Sequence, residues 1–266
     1  RAMIRVEQGS APLIVSIPHA GTEIPDGIHG LVSPELARHD ADLYVDHLYA
    51  FARDLDATIV RTTVSRTVID VNRDPSGHTL YPGQFTTGLC PIQTFHGEPL
   101  YQPGALPDAQ EIARRRAEWF DPYHLALALQ IERLRALHPA IVVYDAHSIR
   151  SVVPKLFDGE LPNFNIGTND GASCAPALAQ VVERICDASP YSRVTDGRFK
   201  GGWITRHYAR PDEGVHAIQM ELAMRTYLIE SPDAWPPPWH EQTAQDCQSV
   251  LRPILSAAID FAKAQA

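Results

Sequence analysis

The sequence predicts a single α/β domain over residues 1–266, with a mostly parallel or mixed sheet flanked by helices. Short runs of β-branched and aliphatic residues alternate along the chain with longer segments in helical rhythm. That alternation is typical of a parallel sheet covered on both faces. No internal repeat or low-complexity linker divides the 266 residues, and their number suits one large domain.

Strand and helix candidates alternate through the first half of the chain. Ser33-Pro34 marks a helix start, because serine caps a helix and proline fits its first turn. The next stretch without a clear period, 74–108, is rich in Pro and Gly, so we expect a functional loop or lid there. Short apolar runs predict strands at 13–17, 57–60 and 67–71, and apolar residues at helical spacing predict a helix over 42–55.

The same alternation continues in the second half. A helical region runs from Asp108 to Leu137, and we expect a kink or break at Asp121-Pro122 because proline has no backbone N–H. The run Ala140–Tyr144 is the strongest strand candidate of the chain. The remaining candidates are a strand near 164–166, a helix over 174–186, a strand over 215–221 and a terminal helix over 241–263.

Composition and charge limit the classes of partner. The formal net charge of -9 argues against nucleic acid or an acidic membrane, because both bind a basic face. No apolar run approaches the roughly 18 residues of a membrane span, and the first residues do not resemble a signal peptide. Four scattered cysteines fit a reducing compartment, so we expect a cytoplasmic location. The oligomeric state is left open.

Two histidines follow strong strands, where sites form in open α/β sheets. His19 comes just after the strand at 13–17, and His147 comes just after Tyr144. Neutral imidazoles at two such positions can share one metal ion, although each also fits a capping or packed histidine. Asp145 would share a strand face with His147 and orient its ring.

A catalytic zinc site usually takes three protein ligands and leaves one position for water, so we expect an acidic third ligand. One candidate lies in the loop after His19, and three lie near the start of the next predicted helix. Spacing alone does not choose among them, and each is also compatible with a solvated surface acid. The four candidates are Glu23, Asp40, Asp42 and Asp46.

Substrate-binding candidates are an amide and several guanidinium groups. Asn72 and Arg73 stand side by side, and together they can grip a carboxylate, since arginine bonds it bidentately and asparagine adds a third bond. A structural ion pair with Asp70 or Asp74 is the alternative. Arg206 ends a Gly-rich stretch and is a second candidate for binding a carboxylate.

A catalytic carboxylate is predicted late in the chain. Glu221 shares one face of the 215–221 strand with Gln219, and a glutamate near a metal-bound water is the usual general base in amide hydrolysis. An edge-strand glutamate would give the same pattern. No G-x-S-x-G motif, P-loop or dinucleotide fingerprint occurs, so serine hydrolase, kinase and Rossmann dehydrogenase functions lack support.

Six motifs stand in a fixed order along the chain. They are SIPHAG (16–21), SRTVIDVNRD (65–74), LYPG (80–83), YDAHSIR (144–150), FNIG (164–167) and QMEL (219–222). Together they resemble the N-formylglutamate amidohydrolase (deformylase) family, and the resemblance extends from Pro12 to about Tyr227. This family is part of a wider group with a zinc exopeptidase-like (phosphorylase/hydrolase-like) fold, which includes carboxypeptidases, aspartoacylases and peptidoglycan amidases.

The resemblance implies roles for particular residues around one catalytic Zn²⁺, or another divalent ion. His19 and His147 would be ligands, and Glu221 would be the catalytic glutamate. Among relatives, an H-x-x-E pattern would favour Glu23, which here lies four residues after His19, whereas a carboxylate from the following helix favours Asp42. We favour Asp42. Asn72 and Arg73 would hold one substrate carboxylate, and Arg206 or Arg150 the second.

The reaction that the resemblance implies is hydrolysis of N-formyl-L-glutamate to formate and L-glutamate, the last step of one histidine-degradation route. The substrate would be a small acidic N-formyl amino acid. The nearest alternative is a related metal-dependent N-acyl amino acid amidase or a peptidoglycan-type amidase. A non-haem iron oxygenase also uses two histidines and a carboxylate, but expects a jelly roll. A binding module without catalysis is the third possibility.

Overall fold

A seven-stranded mixed sheet forms the centre of the computed structural model, which describes residues 2–265. Its order is β1-β3-β2-β4-β7-β5-β6. The four central strands β3, β2, β4 and β7 are parallel, whereas β1 pairs antiparallel with β3 and β5 pairs antiparallel with β7. The strands are β1 (Ile4–Glu7), β2 (Leu13–Ile17), β3 (Thr58–Thr62), β4 (Ile141–Ile149), β5 (Phe164–Gly167), β6 (Arg193–Thr195) and β7 (Val215–Ala223).

Helices cover both faces of this sheet. α5 and α7 pack on one face, and α4 and α6 pack on the other. β2 shows the alternation that this requires, since Leu13, Val15 and Ile17 belong to the first core and Ile14 belongs to the second. The helices are α1 (Pro34–Arg38), α2 (Val45–Leu48), α3 (Ala109–Arg115), α4 (Asp121–Leu137), α5 (Pro176–Asp187), α6 (Trp203–Tyr208) and α7 (Glu241–Lys263).

This architecture confirms the predicted α/β fold class. The two longest strands, β4 and β7, are buried along their whole length, as expected for strands covered on both faces. The long segment 74–108 contains no helix and no strand longer than an isolated bridge among the described residues. Within residues 2–265 we find no helix that combines the length and the hydropathy needed to cross a bilayer.

The strand predicted at 67–71 is wrong. These residues form buried turns, because their backbone N–H groups bond locally and to a neighbouring loop instead of to a strand. Val68 N–H donates to Ser65 O at 3.0 Å, and Asp70 N–H donates to Leu89 O at 2.8 Å. The apolar residues of this segment therefore signalled burial and not an extended backbone.

The helix predicted over 42–55 is broken into two short pieces. α2 covers only Val45–Leu48, and a 3₁₀ helix follows at Ala50–Leu55. Tyr44 has a left-handed backbone, with φ of 60°, so a helix cannot run through it. Asp42 consequently lies in a turn ahead of α2, where its N–H donates to His19 O at 2.9 Å.

The interruption expected at Asp121-Pro122 takes the form of a π-helical turn. This turn spans Arg116–Phe120 and leads directly into α4. Pro122 has no N–H to donate to the carbonyl one turn earlier. The helix therefore adopts the wider π-helical geometry before Pro122 and then continues as α4. A second local difference from the prediction lies at Gly201–Arg206. This segment is predicted as a flexible loop, but α6 begins within it at Trp203.

Candidate active site

Three buried side chains converge at the carboxyl edge of the central strands. His19 follows β2, His147 lies near the end of β4, and Asp42 comes from the turn before α2. One ligand atom from each lies within 4.8 Å of the others, and the two imidazole centroids are 4.9 Å apart. The Oδ2 atom of Asp42 also accepts a hydrogen bond from Ser148 N–H at 3.1 Å, which ties the turn to β4.

The hydrogen bonds of His19 define its tautomer. An Arg66 Nη1 atom lies 3.0 Å from His19 Nδ1, and since a guanidinium can only donate, Nδ1 carries the lone pair. Nε2–H then donates to Asp70 Oδ1 at 2.6 Å. Burial and the charge of Arg66 lower the pKa of His19, which favours the neutral ring. His19 thus presents the form that binds a metal.

His147 is oriented by carboxylates on both sides. Its Nε2–H donates to Asp145 Oδ2 at 2.5 Å, as the shared strand face of the two residues predicted. Its Nδ1 lies 3.2 Å from Asp42 Oδ2. Burial opposes the charged ring, but the two carboxylates outweigh it and raise the pKa of His147 well above its ordinary value. A cation at this point is therefore strongly favoured by the surroundings.

The donor set fits a divalent metal. Asp42 Oδ1 is buried and has no hydrogen-bond partner among the described residues, so it retains an unused acceptor beside the two imidazoles. Two histidine nitrogens and one carboxylate oxygen, with room for water, are ligands that Zn²⁺ takes in catalytic sites.

The other three acidic candidates lie apart from the two histidines. Asp40 accepts from Phe95 N–H at 2.8 Å and from Arg150, and Asp46 lies 3.6 Å from Arg61. Glu23 lies in the chain segment that crosses next to Thr63, to whose carbonyl its N–H donates at 2.9 Å. Asp42 is the acidic candidate that the fold brings to His19 and His147.

Glu221 stands directly beside His147 in the sheet. The two residues are paired partners across β7 and β4, and Glu221 is only 7% exposed. Burial raises the pKa of its carboxyl to about 8, with His147 opposing and Asp42 reinforcing the shift. A carboxyl with this pKa is suited to exchanging a proton near neutral pH.

A cavity opens above this cluster and contains two of the four predicted substrate-binding residues. His19, His147 and Glu221 line it together with Asn72 and Arg73. The remaining lining is a mixture of cationic, aromatic, aliphatic and amide side chains, which includes Arg66, Tyr81, Phe95, Leu156, Arg198, Phe199 and Gln219.

Asn72 and Arg73 are fixed by neighbouring backbone. Asn72 Oδ1 accepts from Ile204 N–H at 2.9 Å, and a Cβ added to Gly202 would lie 2.3 Å from Asn72 Nδ2, so only glycine fits there. Arg73 Nε donates to Thr87 O at 2.8 Å. The Arg73 Nη1 atom also lies 3.5 Å from Asp70 Oδ2, so Arg73 both lines the cavity and belongs to a structural ion pair.

Arg150 and Arg206, predicted as carboxylate-binding residues, do not line the cavity. Arg150 donates to Asp40 Oδ1 at 2.5 Å and to His39 O at 2.6 Å, which explains why it is turned away. Arg206 donates from Nε to Gly201 O at 2.9 Å.

Two arginines that the sequence does not single out also line the cavity. These are Arg66 and Arg198. Arg66 lies four residues before Asp70 in the 65–74 motif, and this spacing of opposite charges indicates an ion pair. In the structure, Arg66 Nη2 lies 3.0 Å from Asp70 Oδ2. Arg198 lies between β6 and α6 and carried no such signal.

A buried cluster of two histidines and a carboxylate, beside a buried glutamate at the carboxyl edge of an α/β sheet, is the architecture of a metal-dependent hydrolase. The family model of N-formylglutamate amidohydrolase matches residues 11–228. The chain belongs to this family, as the sequence motifs predicted.

Two curated relatives are similar over nearly their full length. The N-formylglutamate deformylase of Pseudomonas putida is 44% identical over 259 residues, covering 97% of this chain and 96% of the relative. That of Pseudomonas aeruginosa is 43% identical over 263 residues, covering 98% and 97%. The crystal structure of N-formylglutamate amidohydrolase from Ralstonia eutropha JMP134 shares the fold, with a TM-score of 0.83, 24% identity and coverage of 98% and 99%.

Proposed function

We propose that this chain is an amidohydrolase that cleaves the formyl amide of N-formyl-L-glutamate and releases formate and L-glutamate. The observation that carries the proposal is the position of Glu221 beside the cluster of His19, Asp42 and His147, in a cavity lined with arginines. Two relatives above 40% identity, both called N-formylglutamate deformylase, support the choice of substrate.

Zn²⁺ is the proposed metal, held by His19, Asp42 and His147. When bound, it would supply Lewis acidity, which polarises the formyl carbonyl and makes a neighbouring water a better nucleophile. Support comes from the two imidazole Nδ1 atoms and from the unused Asp42 Oδ1. Asp70 and Asp145 hold the outer nitrogens and thereby fix both rings.

The chain's own residues move the proton and stabilise charge. In its ionised form, Glu221 accepts a proton from the attacking water and returns it to the departing amino nitrogen. Arg66 is fixed by Asp70 and keeps N–H groups beside the cluster, where they can donate to the developing negative charge on the formyl oxygen. Asn72 and Arg73 bind the α-carboxylate of the substrate from the wall of the same cavity.

Metal analysis combined with formate release tests the proposal. The purified protein is expected to hold about one Zn²⁺ per chain and to release formate from N-formyl-L-glutamate. N-acetyl-L-glutamate is the matched control for the acyl group and should react more slowly. Acetate release that exceeds formate release would favour the alternative, a different N-acyl amino acid amidase. No release with any divalent metal would refute the proposal.

A further inference from the structure

Arg198 differs from the other arginines of the cavity in having no acidic partner. Arg66 lies 3.0 Å from Asp70 Oδ2, and Arg73 lies 3.5 Å from the same oxygen. Among the described residues, no carboxylate lies within ion-pair distance of Arg198, although it lines the same cavity. The positive charge of Arg198 is therefore not neutralised by the protein.

The guanidinium of Arg198 is nevertheless held in one place. Its Nε donates to Leu156 O at 2.7 Å, and its Nη2 donates to Phe85 O at 3.0 Å. The rings of Tyr81 and Phe199 lie 5.1 and 5.3 Å from its central carbon. Carbonyl oxygens and aromatic faces orient a guanidinium without cancelling its charge.

Three N–H groups of Arg198 are left for a ligand. A guanidinium carries five N–H donors, and the contacts with Leu156 and Phe85 use two of them. The unused donors are both protons of Nη1 and one of Nη2. Nη1 and Nη2 form the terminal edge of the guanidinium. This edge matches the two oxygens of a carboxylate.

The neighbouring charges favour a ligand with two anionic groups. Burial and the nearby charge of Arg73 lower the pKa of Arg198, which means that the two guanidiniums repel each other across the cavity. Asp70 is shared between Arg66 and Arg73, so Arg73 keeps part of its positive charge and one ligand carboxylate would neutralise only one side of the cavity. A dicarboxylate can place one carboxylate against Arg73 and the other against Arg198, and so relieve the repulsion.

The geometry points to Arg198 as the residue that binds the side-chain carboxylate of the substrate and selects N-formyl amino acids with an acidic side chain. This inference rests on the proposed function and takes the role that the sequence had suggested for Arg150 or Arg206. It predicts that selectivity for glutamate over glutamine depends on Arg198.

An Arg198→Gln variant, measured with N-formyl-L-glutamate and N-formyl-L-glutamine, tests the assignment. The two substrates have nearly the same shape and differ in side-chain charge. We expect kcat/KM for the glutamate substrate to fall about 100-fold, the effect of losing a bidentate charge-assisted bond. For the glutamine substrate we expect a change of less than about threefold, so that the wild-type preference disappears.

Arg206→Gln is the matched control. Arg206 also lies against the Tyr81 ring, at 5.3 Å, but outside the cavity lining. We expect this variant to keep the wild-type substrate ratio. If Arg206→Gln removes the preference while Arg198→Gln keeps it, the assignment is wrong. An equal loss with both substrates in Arg198→Gln, together with a lower melting temperature, would also overturn it, because it indicates a structural role.

A binding measurement separates this inference from the proposed reaction. In calorimetry, the wild-type protein is expected to bind the dicarboxylate L-glutamate more tightly than L-glutamine, and Arg198→Gln should bind the two equally. If no formate is released but this binding difference holds, the proposed reaction fails and Arg198 keeps its role. If formate is released but Arg198→Gln retains the glutamate preference in binding, only the role of Arg198 fails.

Discussion

At the scale of single residues, the site depends on how two imidazole rings are turned. His19 and His147 each direct Nε2–H to an aspartate, Asp70 and Asp145, and each keeps Nδ1 on the side of Asp42. A ring flip would exchange these roles and bring Nε2 towards the proposed metal position. The aspartates oppose the flip, because it would replace two charge-assisted hydrogen bonds.

Glu221→Gln separates proton transfer from metal binding. Glutamine is nearly isosteric with glutamate but cannot accept a proton, so kcat should fall by on the order of 100-fold or more. Metal content measured by atomic emission should stay at the wild-type value, because Glu221 is not among the three proposed ligands. Glu213→Gln, an exposed glutamate just before β7, is the control. A Glu221→Gln variant that keeps wild-type turnover would remove Glu221 from the reaction.

The sequence allowed several site residues to be predicted because strand ends carry them. His19 and His147 follow apolar runs, and parallel strands bring their carboxyl ends to one edge. Spacing leaves four acids open as the third ligand, and the family resemblance is what favours Asp42. Arg198 was missed because its place depends on the path of a connecting loop and on the carbonyls of Leu156 and Phe85, which are far from it in sequence.

At the scale of elements, α4 holds the turn segment that replaced a predicted strand. His124 on α4 donates from Nε2 to Val71 O at 2.7 Å, because a carbonyl can only accept. Its Nδ1 then accepts from Tyr208 on α6, at 2.7 Å. The neutral ring thus satisfies both partners and clamps the segment that leads to Asn72 and Arg73.

The free energy of unfolding should decrease as the pH is lowered from 7 to 5, because of His124. Burial lowers its pKa to about 4, whereas the unfolded chain has a value near 6.5. As pH falls below that unfolded value, the unfolded state takes up a proton that the folded state refuses, so stability is lost. Between pH 7 and 5 the loss is about 2 kcal/mol.

Urea denaturation at both pH values measures this loss. A His124→Asn variant should be less stable at pH 7 and should have a pH dependence shallower by that amount. His29→Asn, at an exposed position, is the control. Equal pH dependence in the wild-type protein and His124→Asn would contradict the clamp.

The pattern of apolar residues explains which strands were predicted correctly and which one was not. β2 and the first part of β4 were predicted because buried strands show as apolar runs, whereas β7 interrupts its apolar residues with His216, Gln219 and Glu221. The 67–71 run has the same composition, but the carboxylate of Asp70 accepts from Asn72 N–H at 2.8 Å and closes a turn. Such a side-chain bond depends on the tertiary position of Asp70 and is not visible in the apolar pattern.

At the scale of the whole molecule, the cluster joins parts of the chain that are far apart in sequence. His19, Asp42 and His147 come from three different segments around β2 and β4. The unfolded chain does not hold these residues together, so a metal bound at the proposed site would stabilise only the folded state. The seven-stranded sheet confirms the predicted fold class, and the single domain over 1–266 stays a prediction.

Removing the metal should therefore lower the melting temperature. A ligand present at 100 times its Kd contributes about 2.7 kcal/mol, which for a chain of this size corresponds to roughly 5–10 °C. Differential scanning calorimetry with and without a chelator measures the shift, and added Zn²⁺ should restore it. The control is Asp42→Asn, whose melting temperature should respond much less. A wild-type melting temperature unaffected by the chelator would contradict a metal at this cluster.

The pairing of His147 with Glu221 across β4 and β7 has a consequence for engineering new specificities. Backbone hydrogen bonds between two buried strands set this spacing, and a slip of one residue would turn Glu221 to the other face of the sheet. Other residues that line the cavity, among them Tyr81 and Arg198, lie in connecting segments. Replacing these segments with those of relatives should change which amino acid is accepted, while the reacting groups keep their separation.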